Sequence, residues 1–142
     1  MQLVIDANIL FRVLIGRGKI LKLFFSDKIN LLAPEFLLHE FEKHKQEIAN
    51  KGKVSISELE QALSLLKERI QLITSEEVSL LIKSKAKILS PHPKDDAYFA
   101  IALAFNAAIW SEEKSFKKQS EVQILNTPEL IRLLKDRFSD FI

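Results

Sequence analysis

Asp6, Glu40, Asp95 and Glu113 are the side chains in this sequence whose type and placement best suit catalysis. Asp6 abruptly ends the apolar run Gln2–Ile5, Asp95 opens an Ala-rich stretch, and Glu113 lies three residues beyond the apolar segment Ala107–Trp110. If each apolar run is a strand of one parallel sheet, the residues just past the strand ends collect along a single edge, where open sheets of this kind bind ligands. Glu40 arrives by another route. Phe36, Leu37, Phe41 and Ile48 recur at helical spacing, and Glu40 falls one turn after Phe36, on or beside that inner stripe. A carboxylate there is costly unless something satisfies it. Acids converging from distant parts of a chain repel one another unless cations are present, and hard oxygen donors suit Mg²⁺ or Mn²⁺, which hold phosphate oxygens and activate water. The chemistry expected of these residues is phosphodiester hydrolysis.

Each acid also has a plain structural explanation. Asp6 alone reads as a helix N-cap or turn acid, Glu40 could snorkel from the edge of its stripe, and Asp95 with Asp96 could simply complement a helix dipole. Glu113 stands in a polar loop. Only the four together favour a site. His39 and His44 are five apart, whereas a zinc-protease helix needs histidines at i and i+4, so zinc is rejected. His92, between two prolines, reads as a loop residue. VIDAN is similar to the opening of phosphatases with an aspartyl nucleophile, but their second acid would stand where this chain has Asn8. Metal-dependent phosphatase is therefore a minor alternative. Arg12, Arg17 and Lys19 on one side, and Lys114, Lys117 and Lys118 on the other, could grip phosphates, with Arg12 and Lys114 the foremost candidates. A solvated charged face explains them equally well. Leu21, Leu23, Phe24 and Phe25 read as core or dimer surface.

The elements that must position these residues alternate regularly. Strand-like runs fall at 2–5, 30–33, 70–74, 107–110 and 122–125. Helical patterns lie between them: one from Ile9 to the Gly16-Arg17-Gly18 break, one over about 19–26, and a long one from Pro34 to about Asn50. Ser57 with Glu60 predicts a capping box for a helix to about Arg69, and Ser75 caps another to about Ile88. Asp95-Asp96 open the Ala-rich helix through about Asn106, and Thr127-Pro128-Glu129 begin the last, with Thr127 as cap. Strands separated by helices imply parallel pairing, right-handed crossovers and a three-layer α/β/α sandwich.

The bulk composition agrees with one packed domain spanning residues 1–142. Hydrophobic residues make up 47% and the mean hydropathy is +0.04, which suits a core and not a disordered tail. The absence of cysteine closes disulfide, thiolate-zinc and thiol-nucleophile chemistry. Charges interrupt every apolar stretch well short of a membrane span, and no basic region precedes the first apolar run, so a soluble cytoplasmic protein without membrane attachment is expected. A net charge of +2 permits a polyanionic partner without requiring one.

The strand-plus-acid start VIDANIL, the helix APEFLLHEFEKH and the stretch DDAYFAIALAFNAAIWSEEKSF together resemble the PIN-domain family over nearly the whole chain. That family's pattern is an Asp after the opening strand, a Glu inside a long helix, an Asp opening an Ala-rich helix and an acid after a following strand end. These correspond to Asp6, Glu40, Asp95 and Glu113, with Asn8 and Ser111 at supporting polar positions. Asp95 precedes Ser111 by 16 positions, the family's spacing, which favours it over Asp96 as a metal ligand. The departure is Glu113, where the family usually has Asp. One extra methylene shifts a carboxylate by about 1.5 Å, so this residue would work through water or yield its place to Glu112. The resemblance implies a mostly parallel sheet of about five strands and a Mg²⁺- or Mn²⁺-dependent endoribonuclease that leaves 3′-hydroxyl and 5′-phosphate ends. It also implies frequent homodimers, and similarity to the toxin halves of type II toxin–antitoxin pairs, in which an antitoxin protein blocks the acidic cleft. The competing expectation is a PIN-fold module that binds RNA or a protein without cutting.

Overall fold

In a computed structural model, which describes residues 1–16, 18–139 and 141, five strands form one fully parallel sheet. They are β1 (Gln2–Ile5), β2 (Asn30–Pro34), β3 (Ile70–Ile73), β4 (Ala108–Trp110) and β5 (Ile124–Leu125), in the spatial order β3-β2-β1-β4-β5. Seven helices connect and follow them among the described residues: α1 (Ala7–Ile15), α2 (Lys19–Phe24), α3 (Phe36–Gly52), α4 (Ile56–Lys67), α5 (Leu80–Leu89), α6 (Asp96–Phe105) and α7 (Thr127–Arg137). The expected α/β sandwich is the observed architecture.

The central strand explains its own sequence. β1 pairs with β2 on one side and β4 on the other, with Leu3 opposite both Leu31 and Ala108. Leu3, Val4 and Ile5 are fully buried, because a strand covered on both faces has no solvent side to keep polar. The chain first steps outward from β1 to β2 to β3 through α1 to α4. It then returns through α5 and α6 to β4, on the opposite side of β1. Right-handed crossovers in opposite directions place their helices on opposite faces. In agreement, α1 packs on α3 and α4, whereas α5 packs on α6 and α6 on the sheet. The direction of winding reverses between β1 and β4, and the carboxyl ends of these two strands therefore flank the crevice where such sheets bind ligands.

Several boundaries differ from expectation, each for a local reason. The capping box of α4 is Ser55 with Glu58, not Ser57 with Glu60. Val54 before the cap and Leu59 at the fourth position join the same apolar cluster as Phe41 and Ile48, a hydrophobic staple that pins the start two residues earlier. Ser75 does not cap a long helix. Thr74 and Glu77 close a single 3-10 turn, Val78 then turns inward in extended conformation, and Ser79 caps α5. Pro34 ends β2 opposite Ile73 and does not start α3, which begins at Phe36. α7 is capped by Asn126 and carries Pro128 at its second position; the Thr127 hydroxyl is instead used by the Trp110 indole N–H at 3.0 Å and by Glu112. No helix among the described residues is long and apolar enough to cross a membrane.

Candidate functional site

Asp6 follows β1 directly and caps α1. Its Oδ1 accepts the Ile9 N–H at 3.0 Å, and its Oδ2 accepts the Ser111 hydroxyl at 2.5 Å. Ser111 in turn follows β4 and accepts the Glu113 N–H at 3.0 Å. The register that sets Ile5 beside Trp110 brings Asp6 and Ser111, the next residues on adjacent strands, into contact. Both are polar and both are buried, Asp6 at 5% and Ser111 at 1% exposure. From α6 the buried Tyr98 completes the floor, its hydroxyl accepting the Ala7 N–H at 3.2 Å.

These residues open into a cleft of about 480 Å³ that Glu40, Asp95 and Glu113 also line. Glu40 is delivered by α3, where Leu37, Phe41 and Ile48 face the core and hold its face of the helix toward the sheet edge. Asp95 closes a 3-10 turn over Pro93–Asp95 before α6, and its side chain makes no capping hydrogen bond, so its carboxylate is free to face the cleft. Burial pushes the Asp6 carboxyl up to about 6, and the charges of Asp95 and Glu113 add to the rise while the bonds from Ser111 and Ile9 oppose it. Burial also raises Asp95; Lys94 and His92 pull it down, and Glu113 and Asp96 push it up. Tyr98 is raised first by burial, then by Asp6, Glu40 and Asp95, so it stays a neutral hydroxyl amid the acids.

The family model for the PIN domain matches residues 4–130. The chain belongs to the PIN-domain family. No curated protein matches it. PIN domains are generally nucleases and typically use divalent metals.

Within this PIN domain the sequence-predicted residues divide cleanly. Asp6, Asn8, Glu40, Asp95 and Glu113 line one cleft, and Ser111 buttresses it from below. Asp96 does not: adjacent helical residues point about 100° apart, and Asp96 lines a second cavity beyond Phe36. Glu112 is committed elsewhere, accepting the Thr127 N–H at 2.7 Å and pairing with Arg12 at 3.5 Å. Arg12, expected as a phosphate ligand, does not line the cleft itself. Six residues after Asp6 it has turned about 240° around α1, and it lines two neighbouring hollows, one with Lys19 and α7 and one with Asn8, Phe11 and His44. Lys114 also misses the cleft. In the 3-10 turn Lys114–Lys118, residues three apart share a face, and that face is Ser115 and Lys118. Lys117 is paired to Glu129 at 2.6 Å, and Arg17 lies outside the described residues.

The sequence reading missed Tyr98, Lys94, Ser115 and His44 as lining residues, and it dismissed His92, which also lines the cleft. Helical spacing carried the signal for two of them: Tyr98 is three residues after Asp95 and His44 four after Glu40, each one turn along the same face.

The donor set fits a hard divalent cation in kind: carboxylate oxygens, no sulfur and a surplus of negative charge that raises Asp6. As placed, no three Asp, Glu or His side chains among the described residues close around one point.

Proposed function

We propose that residues 1–142 act as one PIN nuclease domain that hydrolyses RNA phosphodiester bonds with Mg²⁺ or Mn²⁺ at the Asp6 cleft. The observation that carries this reading is the buried, hydrogen-bonded Asp6 with Asp95 and Glu113 close enough to raise its pKa, at the point where the sheet reverses its winding. A carboxylate buried as Asp6 is, with three further acids lining the same cleft, costs stability, and such arrangements cluster at functional sites.

In this reading Asp6 and Asp95 would hold the ion, with Glu40 from α3 and Glu113, the more exposed acid, beside them. The bound ion supplies charge for the phosphate oxygens and lowers the pKa of water. Ser111 fixes the Asp6 carboxylate in one orientation by donating to Oδ2. Tyr98 holds the first turn of α1 through Ala7 and keeps a neutral O–H beside the acids. Lys94 and Lys118, on the rim, attract the polyanion that the acids alone would repel. Asn8, exposed on the cleft wall, orients substrate.

The test is cleavage of end-labelled RNA in Mn²⁺ by the wild-type chain, with chelator and with Asp6→Asn. Loss of cleavage in both arms is expected; cleavage that persists in either refutes the mechanism. Assembly as a homodimer and a role as the toxin of a toxin–antitoxin pair rest on the family resemblance. A short DNA-binding protein encoded beside this chain that suppresses its cleavage on co-expression would support the toxin role.

A further inference from the structure

A second cavity, of about 390 Å³, adjoins the acidic cleft across Phe36, whose side chain lines both. It lies past the carboxyl ends of β2 and β3, one strand further along the same sheet edge. Neighbouring strands are about 4.8 Å apart, so a single strand of nucleic acid laid along this edge with one phosphate at Asp6 brings its neighbouring nucleotide here. The cavity's size is within the range of small-ligand sites, and its surface is of two kinds. Phe36, Ile73, Val78 and Ile101 make an apolar floor. Lys83 and Lys87, four apart and on one face of α5, make a cationic wall; Lys83 donates to Ser75 Oγ at 2.7 Å, and Lys87 has no ion-pair partner among the described residues. Asp96, half-buried at the first position of α6, has no hydrogen-bond partner for its carboxylate among the described residues.

Resting on the nuclease reading above, we propose that this cavity receives the nucleobase next to the phosphate held at Asp6, and prefers a base that carries an exocyclic amino group. Unstacked bases of single strands are bound on aromatic and apolar surfaces, which the floor provides. Two lysines at the wall meet the flanking phosphate. Asp96 accepts from an amino group of adenine, cytosine or guanine, and uracil has none to offer. The exposed Glu35 and Glu76 also line the cavity, so the net charge does not simply attract any polyanion, and recognition depends on the base. Asp96, which the cleft does not use, thereby acquires a role in choosing the substrate.

Binding is read in the Asp6→Asn background, which separates it from turnover, by fluorescence anisotropy of short single-stranded oligoribonucleotides of adenosine or of uridine. The adenosine oligomer is expected to bind tighter by on the order of tenfold, the worth of one stacked and recognised base. Ala97→Phe, which fills the cavity, should remove most of that advantage, whereas the double change Lys83→Ala with Lys87→Ala should weaken both oligomers alike, because a phosphate contact does not depend on the base. Asp96→Ala, which removes the acceptor, should bring adenosine affinity toward that of uridine while leaving uridine affinity unchanged. Asp96 and Lys83 are only half-buried and Lys87 is exposed, so these changes decide the matter even if Ala97→Phe impairs folding. Equal affinities for the two oligomers, or an adenosine preference untouched by Ala97→Phe and by Asp96→Ala, overturn the proposal and leave the cavity to another occupant such as an apolar peptide. Cleavage of the same oligomers by the wild-type chain in Mn²⁺ is scored separately. Binding that follows the cavity without cleavage rejects the nuclease reading, and cleavage indifferent to the cavity variants rejects only the base site.

Discussion

The Ser111 hydroxyl donates to Asp6 Oδ2 at 2.5 Å, joining the ends of two adjacent strands that are 105 residues apart in the chain. Because Ser111 Oγ also accepts the Glu113 N–H, one side chain orients the central carboxylate and anchors the loop that carries the fourth acid. Ser111→Ala therefore leaves a buried carboxylate oxygen and a backbone donor short of a partner. A loss of about 1–3 kcal/mol in unfolding free energy is expected, with the Asp6 pKa rising further because the bond that opposes its rise is gone. Chemical denaturation and NMR titration of the Asp carboxyl signals check both.

Asp6→Asn should stabilise the metal-free protein at neutral pH while abolishing metal binding. The folded carboxyl titrates near 6 against an ordinary 3.8, so the folded state holds its proton more tightly than the unfolded state does. Stability is then fully present below about pH 4, falls as pH rises through that window, and stays lower above pH 6. A displacement of that size is worth on the order of 3 kcal/mol. Melting curves in chelator from pH 4 to pH 8 should show the decline in the wild type and a flatter profile in Asp6→Asn. The opposite slope would contradict the burial argument.

Metal binding competes with the same proton. Below pH 6 the affinity for Mn²⁺ should weaken by up to about tenfold per pH unit as Asp6 becomes protonated, and cleavage should show an acid limb at the same place. Mn²⁺ at a hundredfold excess over Kd should stabilise the wild type at pH 8 by about 2.7 kcal/mol, read as a higher melting temperature. No such gain is expected in Asp6→Asn.

Tyr98→Phe removes the acceptor for the Ala7 N–H at the first turn of α1 while keeping the ring that packs edge-on against Phe36 at 6.4 Å. The expected cost is about 1 kcal/mol, read as a lower melting temperature. Cleavage should fall through kcat, because the turn that carries Asp6 loses its tether. An unchanged kcat would show that the capping bonds of Asp6 suffice by themselves.

Most of the fold was legible because it follows from period and composition: apolar runs of four residues separated by helical stripes admit few arrangements besides a parallel sheet with helices on both faces. The four acids could be found because each sits at a place with a topological meaning, namely a strand end, a helix start or the edge of a buried stripe. Fine placement was not legible where two local solutions fit equally well. Ser55-Glu58 and Ser57-Glu60 both have the spacing of a capping box, and only the contact of Val54 and Leu59 with the core decides between them. Arg12 and Lys114 were near the acids in sequence but rotated away in space, since helical phase outweighs proximity along the chain. Asp6 shows the two explanations need not compete: it is an ordinary N-cap through Oδ1 and faces the cleft as well.

The account stands on the claim that the Asp6 and Asp95 carboxylates share one divalent ion. Calorimetric titration of Mn²⁺ into the wild type, Asp6→Asn and Asp95→Asn at pH 8 addresses it directly. Binding by the wild type that is lost in both variants is the predicted result; no binding by the wild type, or undiminished binding by either variant, would contradict it.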